Sequence, residues 1–221
     1  MNRAAQALVL TAVGALTLRI GITDEYVRYV NEWMRWPLVA SGVLLLLLAF
    51  TAVLWPAEED HPITPVAWVL LLPVVIGLVV QPPSLGSFLA ERGVNKVSAA
   101  EDRAAVAPLP EGGIADVGVS NFVRLASSDG ELSGRTVRLR GFVTSDADGW
   151  YVTRIAIRCC AADGAAFRVA ARGVEAPPTD QWVEVVGTWV DGTGVSLVAA
   201  DDPALDVTDL TLIDEPKRPY E

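Results

Sequence analysis

The residues best equipped for chemistry lie together near position 160: Arg154, Arg158, Cys159, Cys160 and Asp163. Cys159 and Cys160 are the chain's two cysteines, adjacent in sequence. Such a pair has four readings. The thiols can be small buried hydrophobes. Cys160 can be a reactive thiol whose pKa is lowered by Arg154 and Arg158. Cys159 and Cys160 can be candidate metal or metalloid ligands, completed by a partner's groups. They can also close as a vicinal disulfide, which requires a turned backbone. Side chains alternate along a strand, so an extended Trp150–Cys160 puts Ile155, Ile157 and Cys159 on the core face. Arg154, Arg158 and Cys160 then share the other face, and the two thiols cannot grip one ion. Asp163 precedes Gly164, as a turn residue bonding its own backbone does; the other reading is a carboxylate beside Cys160.

The remaining inventory is narrower. The single histidine, His61, excludes Ser/His/Asp triads, HExxH sites and His₃ zinc sites within one chain. No glycine-rich phosphate or dinucleotide loop is present. The expectation is therefore no catalytic residue and no bound cofactor. Glu58, Glu59, Asp60 and His61 form an acidic run, either a solvated turn or an attractor for cations. Arg138, Arg140, Arg154, Arg158, Arg168 and Arg172 fall on three successive candidate strands. Aromatic residues for base stacking are scarce between them, so cross-strand pairing with acids such as Glu184 is the better reading.

These groups need elements to hold them. The 221 residues are 52% hydrophobic and 20% charged, with net charge −10. A mean hydropathy of +0.37 is too apolar for an ordinary soluble domain of this size. The apolar residues gather in residues 1–82, whereas residues 83–221 carry −8 of the net charge. An acidic balance with pI about 4.6 disfavours nucleic acid as partner. Three apolar segments, 4–22, 37–55 and 65–81, contain 19, 19 and 17 residues. Nineteen helical residues reach about 28 Å, close to the ~30 Å of a bilayer's hydrocarbon core. The first segment is read as retained rather than cleaved, because no small-x-small site precedes a polar start. Between the first two, Thr23–Trp36 is either a surface amphipathic helix or a polar extension of the second span. Arg28 and Arg35 in the first loop, and Arg92, Lys96 and Arg103 after the third segment, place the carboxyl-terminal part in the cytoplasm.

Residues 83–113, rich in proline and glycine, read as a linker with one helical turn around Phe88–Arg92. From 114 to 221 a short helix at Asp116–Ser127 precedes a run of strands. These are Val137–Val143, Trp150–Cys160, Phe167–Arg172, Trp182–Val190 and Asp206–Asp214, with Val195–Ala199 as an extension. Gly141 marks a bulge or bend. Five short, glycine-bearing strands predict a small all-β, OB-like barrel. The fold class expected is thus a membrane α-helical region of about three spans followed by that barrel.

The stretch Trp150–Gly164, with Thr153-Arg154 followed by Cys159-Cys160-Ala161-Ala162-Asp163, resembles the YcgQ-like permease-subunit family of bacterial membrane proteins. Trp182–Val190, Pro82–Ser87, Arg28-Tyr29-Val30 and Pro219-Tyr220-Glu221 look similar as well. The resemblance implies a multi-pass protein of the bacterial inner membrane, partnered by a larger multi-spanning permease and by the lipid bilayer. It supplies no catalytic or ligand residues. Two rivals stand beside a non-enzymatic accessory subunit: a membrane-anchored metal- or redox-handling protein using Cys159 and Cys160, and a membrane-tethered OB-type nucleic-acid-binding module.

Overall fold

The computed structural model describes residues 3–55, 69, 71–79, 85–90, 109–110, 112–127, 131–194 and 202–221. It divides into two units, Met1–Ser84 and Leu85–Glu221. The acidic run 58–61 and the candidate extension Val195–Ala199 lie outside the described residues.

In the first unit, helix α1 (Arg3–Ile22) and helix α2 (Arg35–Leu54) form an antiparallel hairpin, and α3 (Leu71–Val79) packs beside α1. Their packing is inverted relative to a soluble core. The buried positions of α2 are Gly42 and Ala49, and those of α1 include Ala5 and Ala7. A side chain at Gly42 would meet the Leu18 backbone at 2.9 Å, so the smallest residue is what lets the two helices close. Leu44, Leu47, Phe50 and Val53 face outward, with Phe50 61% exposed. Small residues inside and large apolar ones outside is the pattern of helices solvated by lipid. Among the described residues, two helices are long and apolar enough to cross a membrane, over Ala5–Ile22 and Glu32–Leu54. Of the expected third span, 65–81, residue 69 and the nine residues of α3 are described, and the rest lies outside the described residues.

The connector differs from the surface amphipathic helix expected for Thr23–Trp36, while its end, from Glu32, continues into the second span as the polar-extension reading expects. It forms two 3₁₀ turns, Asp24–Arg28 and Glu32–Met34, broken between them. Its charges are tied locally rather than arrayed on one face. Arg19 pairs with Glu25 at 2.9 Å, and Arg35 donates to the Gly21 carbonyl while lying over the Tyr26 ring. Trp33, Trp36 and Trp55 remain exposed near the helix ends.

The second unit opens with the single turn α4 (Ser87–Ala90), then β1 (Ala115–Asp116) and α5 (Val119–Ala126). Five longer strands follow: β2 (Thr136–Asp146), β3 (Gly149–Ala156), β4 (Ala165–Arg172), β5 (Trp182–Trp189) and β6 (Ala204–Leu212). The sheet runs β1-β2-β3-β4-β6-β5, and β2 pairs β5 as well. Each of the five longer strands therefore has a partner on both sides. The β4–β6 pair is parallel, whereas β2–β3, β3–β4, β2–β5 and β5–β6 are antiparallel.

Alternation explains the interior. Val137, Leu139, Val143, Val152, Val169, Val183, Val185 and Leu205 are fully buried, and Phe122 of α5 joins them. Gly141 is not a bulge, since Arg140, Gly141 and Phe142 pair in unbroken register with Glu184, Val183 and Trp182. It sits where β3 crosses closely, with the Thr153 carbonyl oxygen 2.5 Å from where a side chain would begin. The bulge lies instead at Val186/Gly187.

Candidate functional site

Strand β3 ends at Ala156, not at Cys160 as alternation predicts. Its last partner on β4 is Ala165, so the ladder is exhausted there. Beyond it the backbone is held by the residues that close the described chain. The Ile157 N–H donates to the Glu221 carbonyl, and the Glu221 N–H donates to that of Ile155. Ile155 and Ile157 are buried, but not on the expected face: they join a second apolar cluster with Phe142, Ala166 and Trp182, whereas Trp150 and Val152 of the same strand face the main core. At Arg158 the chain turns.

Asp163 makes that turn. Its Oδ1 accepts the Arg158 N–H at 2.9 Å, and its Oδ2 accepts those of Cys159 at 2.8 Å and Cys160 at 3.4 Å. The 3₁₀ turn Ala161–Asp163 brings the carboxylate back over the peptides before it. Three amide donors on one carboxylate outweigh continued extension that has no ladder partner. The consequence corrects the strand register for the cysteines. Cys159 is not on the core face; both thiols are half-buried, with Sγ atoms 3.6 Å apart. Their ligand atoms and a carboxylate oxygen of Asp163 lie within 4.8 Å of one another.

The electrostatics follow from the geometry. A hydrogen bond from the Cys159 thiol to the Asp163 carboxylate, with the neighbouring Cys160, pushes the Cys159 pKa up to about 11. Burial opposes ionisation of Asp163, but the hydrogen bonds from the Cys159 thiol and the three amides prevail and hold its pKa at about 2. The turn is thus stabilised by a charge present above the ordinary carboxylate range and lost as pH falls through about 2. Amide exchange at 158–160 should accelerate between pH 4 and pH 2 beyond its intrinsic trend. Asp163→Asn should lower the Cys159 pKa toward its ordinary value. Thiolate gain offset by lower nucleophilicity gives about tenfold faster alkylation of Cys159 at pH 8. An unchanged rate would mean that the thiol does not bond to Asp163.

The arginines are distributed differently from the expected flanking pair. Arg154 is turned inward, 9% exposed, with its guanidinium 4.8 Å from the Trp182 ring centroid. It donates to the Arg218 carbonyl at 2.9 Å and stands 4.0 Å from Glu221. Burial presses its pKa down while Glu221 opposes that shift. The expected faces of β3 are reversed: Arg154 has the parity of Trp150 and Val152, which face the main core, and pairs with Phe167 of that core. Arg158 is exposed and contributes its peptide N–H to Asp163.

Among the other arginines, Arg138 and Arg140 pair across strands with Glu184 at 3.2 and 2.6 Å. Arg168 bridges Asp146 and Asp202 and lies 4.0 Å over the Tyr151 ring. A cavity of about 300 Å³ is lined by Arg138, Arg140 and Arg154 with Asp116 and Glu221, and Glu184, paired to Arg138 and Arg140, supplies the third carboxylate beside it.

Glu221 is the residue whose role sequence reasoning missed. Its Oε1 and Oε2 accept the Val119 and Ser120 N–H groups at 2.8 and 2.9 Å, capping a helix whose own cap position is Gly118. A glycine at that position was the only local hint that a side chain from elsewhere must serve. Tyr220 accepts the Leu85 N–H at 3.0 Å, and Asp180 accepts both the N–H and the hydroxyl of Ser87.

No curated protein and no solved structure matches the chain. Residues 119–221, which run from α5 through β6 to the Glu221 cap and include Cys159, Cys160 and Asp163, match the family model of the DUF1980 C-terminal domain.

Proposed function

We propose that this protein is a non-enzymatic accessory subunit of a multi-spanning permease in the bacterial inner membrane. Its apolar helices dock on the permease, and an OB-like barrel on the cytoplasmic side serves as a scaffold or regulatory module. The observation that carries the reading is the chemistry of the helical unit. Trp36–Leu54 contains no charged residue, and its buried positions are glycine and alanine. A conduction path needs polar groups at mid-membrane depth; a hairpin of this kind supplies lipid- and protein-facing surface instead. The OB-like reading of the second unit is supported by the cycle of pairings through β2, β3, β4, β6 and β5, with its parallel β4–β6 contact. The family match over 119–221 is compatible with a membrane accessory protein.

Gentle solubilisation of native membranes and purification through this chain should recover a multi-spanning protein in fixed ratio. Recovery of this chain alone, or only with copies of itself, would overturn the proposal. For the orientation, a cysteine at exposed Asp209, in a background without the native pair, should resist an impermeant reagent in intact cells. Labelling there would put the barrel outside.

A further inference from the structure

The geometry points to a binding site for a thiophilic divalent cation of the zinc class, formed by Cys159, Cys160 and Asp163 and open at its fourth position. Two thiolates bound at about 2.3 Å to a tetrahedral ion stand about 3.8 Å apart. The Cys159 and Cys160 Sγ atoms stand 3.6 Å apart without any ion. That spacing is far beyond a disulfide bond of about 2.05 Å. The strand register that would have sent the thiols to opposite faces is broken by Asp163 itself. The same residue that turns the backbone carries the third ligand, within 4.8 Å of both sulfurs.

The position of the turn is held from two directions. Before it, Ile157 is anchored to Glu221; after it, the 3₁₀ turn Ala161–Asp163 leads into β4. The ligands therefore need little reorganisation to close on an ion. Two thiolates and a carboxylate suit zinc better than calcium or magnesium, which take all-oxygen shells. Binding displaces the two thiol protons to solvent, and two thiolates plus one carboxylate overbalance the ion's charge by one. Among the described residues the cluster contains no fourth cysteine, histidine or acidic ligand. Three protein ligands with a vacant corner make an open site, unlike the closed four-ligand shell of structural zinc, and leave the fourth position to water or an incoming ligand. Half-exposure of both thiols leaves that corner accessible to water or to a ligand from another protein. The site does not depend on the permease reading: it would be present in the protein alone.

The test uses the full chain, reduced, in detergent micelles, with Co²⁺ and Zn²⁺ as probes. One equivalent of Co²⁺ should bind with a thiolate-to-cobalt charge-transfer band. Binding of either ion to the metal-free protein should release about two protons, and Zn²⁺ should then displace Co²⁺ without further release. Bound Zn²⁺ should protect both cysteines from alkylation. Cys159→Ser and Cys160→Ser should each weaken Zn²⁺ binding by more than about a hundredfold, beyond the effect of losing an outer-shell partner. Asp163→Asn also releases the backbone turn, so the cysteine variants carry the decision. Amide exchange in β3 and β4 should be unchanged in them, separating ligand loss from misfolding. Absence of the charge-transfer band in the reduced protein would overturn the site. So would Zn²⁺ stoichiometry that survives the double serine variant, or isolation of the pair as a disulfide that forms without added oxidant.

Discussion

Phe122→Ala should destabilise the β unit by about 3–5 kcal/mol, the cost of removing a large aromatic from a closed interior. Phe122 has no exposed surface and belongs to the cluster containing Leu139, Val152, Val169 and Val183. It therefore tests whether α5 is part of the core or a detachable lid. The loss should spread along a defined route. Val119 and Ser120 are capped by Glu221, and the Glu221 backbone is paired to Ile155 and Ile157. Loosening α5 should raise amide exchange not only in 119–126 but also at Ile157 and the turn that follows. Urea unfolding of the full chain in micelles, with exchange read by peptide, gives both numbers. A loss below about 1 kcal/mol would place α5 outside the cooperative unit.

Gly187→Ala should cost about 3 kcal/mol, because the added methyl has nowhere to go. Its carbon would overlap the Asp206 carbonyl oxygen of the neighbouring strand and stand 3.0 Å from Leu205 Cγ. Both neighbours are held in place. Leu205 is buried, and the Asp206 backbone belongs to the β5–β6 ladder at its bulge. Relief requires β6 to move away from β5, and β6 is the strand that pairs with both β4 and β5. Exchange should therefore rise across 183–189 and 204–212 together. A substitution at exposed Thr211, on the neighbouring strand β6, should stay within about 0.5 kcal/mol. Equal effects at the two positions would refute the close approach.

Legibility followed the range of the interactions. The apolar helices were readable because segments of seventeen to nineteen residues with one charge or none have few other uses, and β2 and β5 because burial on one face imposes a period of two. The same rule misled at Trp150–Cys160. Ile155 and Ile157 are buried in the second cluster, on the face opposite Trp150 and Val152, and Arg158 and the cysteines happen to continue the pattern after the strand has lost its partner. Nothing in that alternation marks where β4 stops. The connector 23–36 misled similarly: its spacing suits an amphipathic helix, but Arg19 and Arg35 are committed to Glu25, Gly21 and Tyr26.

From its sequence alone this protein was determined to have an apolar helical part, an acidic β part, no histidine-built centre, and its chemical potential concentrated at Cys159, Cys160 and Asp163. These properties depend on residue type and on neighbours a few positions away. Only the tertiary structure decided that β2 pairs β5, that Arg154 is buried against Trp182, and that Glu221 caps a helix 102 positions before it. It also brought both thiols to one side of Asp163. The physical reason is that backbone donors and acceptors must find partners wherever the chain places them. Where β3 ran out of ladder, a carboxylate three residues beyond the second cysteine was the nearest acceptor, and satisfying those amides set the geometry of the site.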